Sequence, residues 1–325
     1  MRLIPVLGLI TLLLGVPIPA VAQSATPAAA SPTTASGDFT GLFDIGGRSL
    51  WLECRGAGGP TVVLEAGAGN NAQVWDAIAL PPGTASPAVL PGVAAFTRVC
   101  AYDRPGTRIG PGPEYSSRSD PAPQPRTAAD TVADLHALLG AADVPGPYVL
   151  VGHSYGGLVV RLYASTYPDA VVGLVLVDAA HEDYYAAVQA LLTPEQWAAW
   201  LAPPPEFAAD DAWERNDVAA SSGQMREAAV ASPLRPMPLV VLTRGRPLEW
   251  PAGFPTDALE AAWRPRQDEL AALVPGARLV VAERSGHYIQ IDQPELVIEA
   301  IRQVVEAVRE PSSWATPAAS PSPTA

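Results

Sequence analysis

The segment Val149–Gly157 reads Val-Leu-Val-Gly-His-Ser-Tyr-Gly-Gly, and it decides the fold. Its first half is a continuously apolar run, and a stretch with helical periodicity follows the glycines. The pattern Gly-x-Ser-x-Gly between a strand and a helix predicts a sharp turn that exposes the Ser154 hydroxyl. Gly152 and Gly156 are needed because a Cβ atom at either position would clash across so tight a turn. We predict that Ser154 is a nucleophile; the alternative is a chance pentapeptide in a glycine-rich chain.

Short apolar runs and helical stretches alternate on both sides of this segment. Several of the runs are apolar on both faces, which is typical of parallel strands covered by helices. The alternation predicts an α/β sheet with helices on both faces. Strands are predicted at 39–45, 49–54, 61–65, 98–102, 148–151, 173–177, 239–243 and 278–282. Helices are predicted at 127–139, 158–167, 258–273 and 294–308.

One region interrupts this alternation. Residues 183–236 contain no convincing strand and carry six aromatic residues among alanines and acids. We predict that 183–236 is a helical cap insertion folded over the sheet.

The two ends of the chain differ from the rest in composition. Residues 1–22 have one arginine, an apolar run and an Ala-Val-Ala ending, which predicts a secretory signal peptide cleaved after Ala22. An uncleaved membrane anchor is the alternative, because about 20 apolar residues can span a bilayer. Residues 23–37 and 311–325 are rich in Ser, Thr, Pro and Ala and are predicted to be low-complexity tails. The folded domain is then 38–310, in an extracytoplasmic protein.

Charge and composition exclude several classes of function. The 325 residues carry a net charge of −13, and all 20 basic residues are arginine. An acidic protein is a poor ligand for nucleic acid or for an anionic membrane. Two cysteines and four histidines leave little for a multi-ligand metal site, and the absence of lysine excludes a phosphate-binding loop of the Walker type. Nothing in the sequence sets the oligomeric state.

A serine nucleophile needs a base, and His287 is the predicted one. It follows the last predicted strand, at the carboxyl edge of the sheet where α/β proteins bind ligands. His181 also follows a strand and is the alternative. His136 lies within a predicted helix, and His153 lies in the turn itself and is predicted to point elsewhere.

The acid that orients the base is harder to identify. Asp178 ends the strand after the nucleophile, and a rigid strand end favours it; a helix-capping role is its alternative. The next strand offers no carboxylate until Glu249 and Asp257, and these two stay open as candidates. The backbone N–H groups of Tyr155, directly after the nucleophile, and of Ala68, in the glycine-rich loop after 61–65, are predicted to form an oxyanion hole.

These motifs resemble the α/β-hydrolase fold superfamily, over nearly all of 38–310. The resemblance rests on the turn around Ser154, the loop Ala66–Gly69, the segment Tyr102–Gly106, the strand that ends at Asp178 and the Ser-Gly-His at 285–287. It implies a mostly parallel, doubly wound sheet of eight strands in the order 1-2-4-3-5-6-7-8, with a variable cap after the sixth. Many members carry the acid after the seventh strand; this chain departs from them, and Asp178 fits the variant that carries it after the sixth.

The resemblance also has consequences for the cysteines and the chemistry. Its strand order makes the second and fourth strands neighbours, which implies a disulfide between Cys54 and Cys100; two buried thiols are the alternative. It implies a serine hydrolase that cleaves a small carboxylic ester through an acyl-enzyme and needs no cofactor or metal. A haloperoxidase, a lactonase, an aminopeptidase, a C–C hydrolase and a non-catalytic binding protein remain alternatives. Membrane contact is expected only if the N-terminal segment is uncleaved.

Overall fold

The computed structural model describes residues 37–314 apart from 77–79, 81–82 and 85. The predicted signal peptide, nearly all of the first low-complexity segment and residues 315–325 lie outside these residues. Within the described part, no helix is both long enough and apolar enough to cross a bilayer.

Eight strands form a single sheet in the order β1-β2-β4-β3-β5-β6-β7-β8. The hairpin β1–β2 is antiparallel, β2 pairs antiparallel with β4, and every other neighbouring pair is parallel. This order confirms the predicted mostly parallel, doubly wound sheet. The strands are β1 Phe39–Asp44, β2 Ser49–Arg55, β3 Thr61–Glu65, β4 Val99–Tyr102, β5 Tyr148–His153, β6 Val171–Val177, β7 Leu239–Arg244 and β8 Arg278–Ala282.

Nine α-helices lie among the described residues, and they cover both faces of the sheet. Strands β3 to β7 are almost wholly buried, because apolar clusters pack on each of their faces. The helices are α1 Val89–Ala94, α2 Ala128–Ala141, α3 Gly156–Thr166, α4 Tyr184–Leu191, α5 Pro194–Leu201, α6 Val218–Ala231, α7 Thr256–Ala271, α8 Ile289–Asp292 and α9 Pro294–Arg309.

The insertion between β6 and β7 is helical, as predicted. It contains α4, α5, α6 and a short 3-10 turn at Pro205–Phe207. Its side chains Tyr184, Trp197 and Trp200 join Trp263 of α7 in a cluster separate from the two sheet cores. Much of this aromatic content therefore serves to pack the cap helices against α7.

The predicted C-terminal tail begins later than its composition indicated. Pro311–Trp314 forms a 3-10 turn after α9, and the Arg278 guanidinium lies 3.9 Å from the centre of the Trp314 ring. Trp314 is the one aromatic residue in the sequence 311–325, and its ring contacts Arg278 of the folded domain. The Ser- and Pro-rich composition of the segment gave no indication of this contact.

Candidate active site

Ser154 sits in a sharp turn between β5 and α3 with a φ of +53°. Its N–H donates to the carbonyl of Val177 at 3.1 Å, which ties the turn to the neighbouring strand. A Cβ atom on Gly152 would lie 2.5 Å from the Gly156 carbonyl oxygen, and one on Gly156 would lie 2.6 Å from the Ala66 oxygen. No side chain fits at either glycine, so the turn can form only with this spacing.

The loop after β3 lies directly against Ser154. A Cβ atom on Gly67 would lie 3.1 Å from the Ser154 Cβ and 2.7 Å from the His153 Nδ1. Among the described residues, neither the Ala68 nor the Tyr155 N–H has a protein acceptor. Two free N–H groups beside a serine are what an oxyanion hole requires.

His287 lies after β8, at the same edge of the sheet. Its Nδ1 is 2.6 Å from the Asp178 Oδ2, and about one fifth of its side chain is exposed. Asp178 directly follows β6, has a φ of +40° and is completely buried. The bond to Asp178 occupies one ring nitrogen of His287 and leaves Nε2 free for proton transfer.

The Asp178 carboxylate has donors on both oxygens. Oδ1 accepts from the Arg244 backbone N–H at 3.0 Å and from the Trp263 indole at 3.2 Å, and Oδ2 also accepts from the Arg244 guanidinium at 2.9 Å. Burial opposes ionisation, but the hydrogen bond from His287 and the charges of His287 and Arg244 hold the pKa of Asp178 below its usual value. Asp178 therefore stays charged at neutral pH. Glu249 and Asp257, the other candidate acids, are both exposed.

The remaining histidines have other partners. His181 lies 3.4 Å from Glu269 and 3.5 Å from Glu182, and its Nδ1 accepts the Asp183 N–H. His136 stacks on Tyr167 at a ring distance of 3.8 Å. Both belong to structural contacts away from the Asp178–His287 pair.

His153 has a place in the site that the sequence did not indicate. Its Nε2 lies 2.9 Å from the His287 backbone carbonyl, and the two rings are 4.7 Å apart. Burial, with the charge of His287, lowers the pKa of His153 to about 3, so the ring is neutral. A neutral ring with Nε2 protonated donates to that carbonyl and holds the His287 backbone; the prediction that His153 points elsewhere is wrong.

A buried ionic network braces the loop after β3. Arg104 donates to the carbonyls of Ala66 at 2.8 Å and Gly67 at 2.7 Å, and it pairs with both Glu65 and Glu214. Arg104 therefore fixes the backbone on which the Ala68 N–H depends.

Glu214 reaches the same loop from the cap insertion. It accepts the Gly69 N–H at 2.6 Å and binds the Arg104 guanidinium through both carboxylate oxygens, at 2.6 and 3.0 Å. The sequence carried no signal for Glu214, since it lies 110 residues from Arg104 in a segment without periodicity.

Cys54 of β2 and Cys100 of β4 are opposite each other in the antiparallel register and form a disulfide. Their Cα atoms are 4.1 Å apart. The bond links two residues that are 46 positions apart in the sequence and joins β2 to β4. It lies in the core and takes no part in the candidate site.

Within the described residues, no three His, Cys, Asp or Glu side chains are placed to hold a metal ion. A surface cavity of about 540 Å³ lies at the opposite end of the strands, next to Val171 at the start of β6 and Pro238 just before β7. None of the candidate site residues lines this cavity.

The family model described as the alpha/beta hydrolase family matches residues 62–300. The uncharacterized protein YqjL of Bacillus subtilis is 28% identical over 250 residues, which cover 77% of this chain and 85% of YqjL. The probable transporter efuK of Hormonema carpetanum is 26% identical over 346 residues; the match covers 88% of this chain but only 45% of that relative. A solved thermophilic esterase from Thermogutta terrifontis superposes with a TM-score of 0.51 at 21% identity, covering 84% of this chain and 99% of the esterase, and it shares the fold. The chain belongs to the alpha/beta hydrolase family.

Proposed function

We propose that this protein is an exported serine hydrolase that cleaves a small carboxylic ester through an acyl-enzyme on Ser154. The observation that carries the proposal is the convergence, at one sheet edge, of the strained Ser154, the Asp178–His287 pair and the free N–H groups of Ala68 and Tyr155. A buried charged acid, a base bonded to it and a partly exposed hydroxyl on a tight turn are the parts that acyl transfer needs.

In the first half-reaction, the Ser154 oxygen attacks the carbonyl carbon of the ester while its proton passes to His287 Nε2. The negative charge that forms on the carbonyl oxygen is stabilised by the Ala68 and Tyr155 N–H groups, each worth about 3–4 kcal/mol in comparable sites. Asp178 stabilises the imidazolium and keeps the ring in the required tautomer. His287 then returns the proton to the departing alcohol as the tetrahedral intermediate collapses.

In the second half-reaction, a water molecule takes the place of the alcohol. His287 removes one proton from the water as its oxygen attacks the acyl carbon, and the same proton restores the Ser154 hydroxyl. The acid is released and the enzyme returns to its starting state.

A fluorophosphonate probe tests the nucleophile. We expect one covalent label per folded protein on Ser154, loss of the label in Ser154→Ala, and full labelling of Ser312→Ala, an exposed serine outside the site. Peptide mass mapping locates the label. Absence of labelling in the folded protein would favour a non-catalytic binding protein on the same fold.

A substrate panel then tests the ester assignment. Nitrophenyl esters of increasing acyl length are compared with aminoacyl amides under the same conditions. We expect turnover of short esters and little turnover of amides; faster amide cleavage would replace the ester proposal with a peptidase one.

Export is part of the proposal, and it is supported by the signal-like segment 1–22 and by the disulfide between Cys54 and Cys100. N-terminal sequencing of the protein secreted by its host should begin at Gln23. A protein that keeps Met1 and stays with the membrane would indicate an anchor instead.

A further inference from the structure

Asp178 is one end of a row of three charged side chains. The Arg244 guanidinium lies between two carboxylates: Nη1 donates to Asp178 at 2.9 Å, and Nη2 donates to both oxygens of Glu260 at 3.0 Å each. Asp178 and Arg244 are buried, whereas the Glu260 side chain is 23% exposed. The row brings a fixed positive charge and a second negative charge next to the candidate base.

The same oxygen of Asp178 serves both His287 and Arg244. Oδ2 accepts the His287 Nδ1 at 2.6 Å and the Arg244 Nη1 at 2.9 Å. The guanidinium therefore competes with the imidazole for the same negative charge. In a poorly solvated site this competition weakens the stabilisation that Asp178 gives to the imidazolium formed during proton transfer.

Arg244 is held in this position by contacts on several sides. Its guanidinium lies 4.3 Å from the centre of the Trp263 ring, and that indole also donates to Asp178. Glu260 holds its far end and is itself fixed by the Leu248 N–H at 3.1 Å and the Trp250 indole at 3.2 Å. The charge of Arg244 is thus a permanent feature of the site.

Three titratable side chains near this site are uncharged at neutral pH: His153, Tyr184 and Tyr288. Burial lowers the pKa of His153 to about 3, and burial raises the pKa of Tyr184 on α4 well above its usual value. Tyr288 packs its ring 5.5 Å from the His287 ring, and burial raises its pKa as well. The charges that act on His287 are Asp178, Arg244 and Glu260, at or near β6, β7 and α7, and Asp292 of α8, which accepts the Gly286 N–H at 3.0 Å and is unchanged by substitution of Arg244 or Glu260.

We propose that Arg244 and Glu260 are a pair of positioning residues that set the pH at which His287 becomes active, Arg244 weakening the base and Glu260 partly cancelling that effect. The inference rests on the proposed serine hydrolase chemistry, in which only the neutral imidazole accepts the Ser154 proton. Both charges act on the imidazolium through the shared Asp178 carboxylate, and they act with opposite signs.

The two substitutions have opposite expected signs. Arg244→Met removes the competing positive charge, so His287 becomes more basic and the acid limb of the pH–rate profile moves up by about 1 pH unit. Glu260→Gln leaves the positive charge of Arg244 uncancelled, so the acid limb moves down by about half a unit, because Glu260 is farther away and partly exposed. A purely structural role would lower activity in both variants and leave the limb unmoved.

The test measures fluorophosphonate labelling of Ser154 between pH 4 and 9 in the full chain and in each variant. Arg244→Lys is the conservative variant: it keeps the charge and should leave the limb close to that of the parent, with a slower rate because the forked geometry is lost. Arg246→Met, on the exposed loop after β7, is the matched control and should change neither. The proposal would be overturned if the acid limbs of Arg244→Met and Glu260→Gln moved in the same direction, or if neither of them moved.

A second readout separates this inference from the proposed function. The chain has four histidines, so the ring-proton NMR signals of His287 can be assigned and followed through the same pH range without any substrate. Opposite shifts of the His287 titration in unlabelled proteins would support the electrostatic pair even if Ser154 proved unreactive. If Arg244→Met does not fold, the downward shift in Glu260→Gln decides the question alone.

Discussion

Two rows of acid, arginine and acid flank the candidate nucleophile, and they differ in what they touch. On the oxyanion side, Arg104 joins Glu65 to Glu214, and its remaining donors bind loop carbonyls. On the base side, Arg244 joins Asp178 to Glu260.

Burial and connection distinguish the two rows. All three side chains of the first row are at most 4% exposed, and none of them reaches a reacting group. The second row ends on an oxygen that His287 shares, and its outer acid meets solvent. The same order of acid, arginine and acid therefore holds a loop backbone in one case and contacts the candidate base in the other, because the two rows differ in what their outer groups bind.

The largest effect on activity is expected from replacing Asp178, the buried acid of the second row. Asp178→Asn should lower kcat for a nitrophenyl ester by about four orders of magnitude, because the amide disfavours the required tautomer and does not stabilise the imidazolium. Glu249→Gln and Asp257→Asn, two exposed acids after β7, are controls and should keep the parental rate. A large loss in either control with an active Asp178→Asn would move the acid away from β6.

Replacing each arginine in turn compares how much the two rows contribute to the free energy of unfolding. Arg104→Met leaves Glu65 and Glu214 unpaired in the interior and should lower the free energy of unfolding by about 3–5 kcal/mol. Arg244→Met should cost less, because Glu260 is partly solvated and Asp178 keeps three other donors. Urea unfolding of both variants measures the difference; an equal or larger cost at Arg244 would contradict the distinction.

The smallest of these effects is expected at the outer end of the first row. Glu214→Ala removes the acceptor of the Gly69 N–H, which is one residue from the Ala68 donor. The loop after β3 then loses its fixed position. We expect kcat to fall about tenfold with KM little changed, because a misplaced donor weakens mainly transition-state binding. Glu206→Ala, an exposed acid in the same insertion, is the matched control. A change confined to KM would instead place Glu214 at the substrate.

Local patterns were enough to predict the sheet and the positions at its carboxyl edge. The parallel strands end on the same side, so residues just after them, such as Asp178 and Ser154, were expected to meet there. The bounds shifted by one to three residues at most elements, because strand and helix ends depend on caps and on neighbours. Helix α2, for example, continues through Gly140 to Ala141, two residues past its predicted end.

The partners of the candidate site could not be predicted in the same way. Arg244 ends a strand without any pattern that indicates a partner, and Glu260 and Trp263 lie on a helix whose sequence shows ordinary amphipathic spacing. The sequence predicted no role for His153, because the Gly-x-Ser-x-Gly motif accepts any residue at that position. Each of these side chains acquires its role from a partner 16 to 134 residues away, which no local pattern encodes.

The amino-acid sequence by itself determined the alternation of strands and helices and the glycines that permit the turn at Ser154. It also predicted that Ser154 and His287 lie at one edge of the sheet, because parallel strands end on the same side. Only the tertiary structure decided which acid binds His287, which arginine shares that acid, and how Glu214 from the cap reaches the loop after β3. The physical reason is that a buried charge is stable only beside its partner, and folding alone brings together partners that are far apart in the chain.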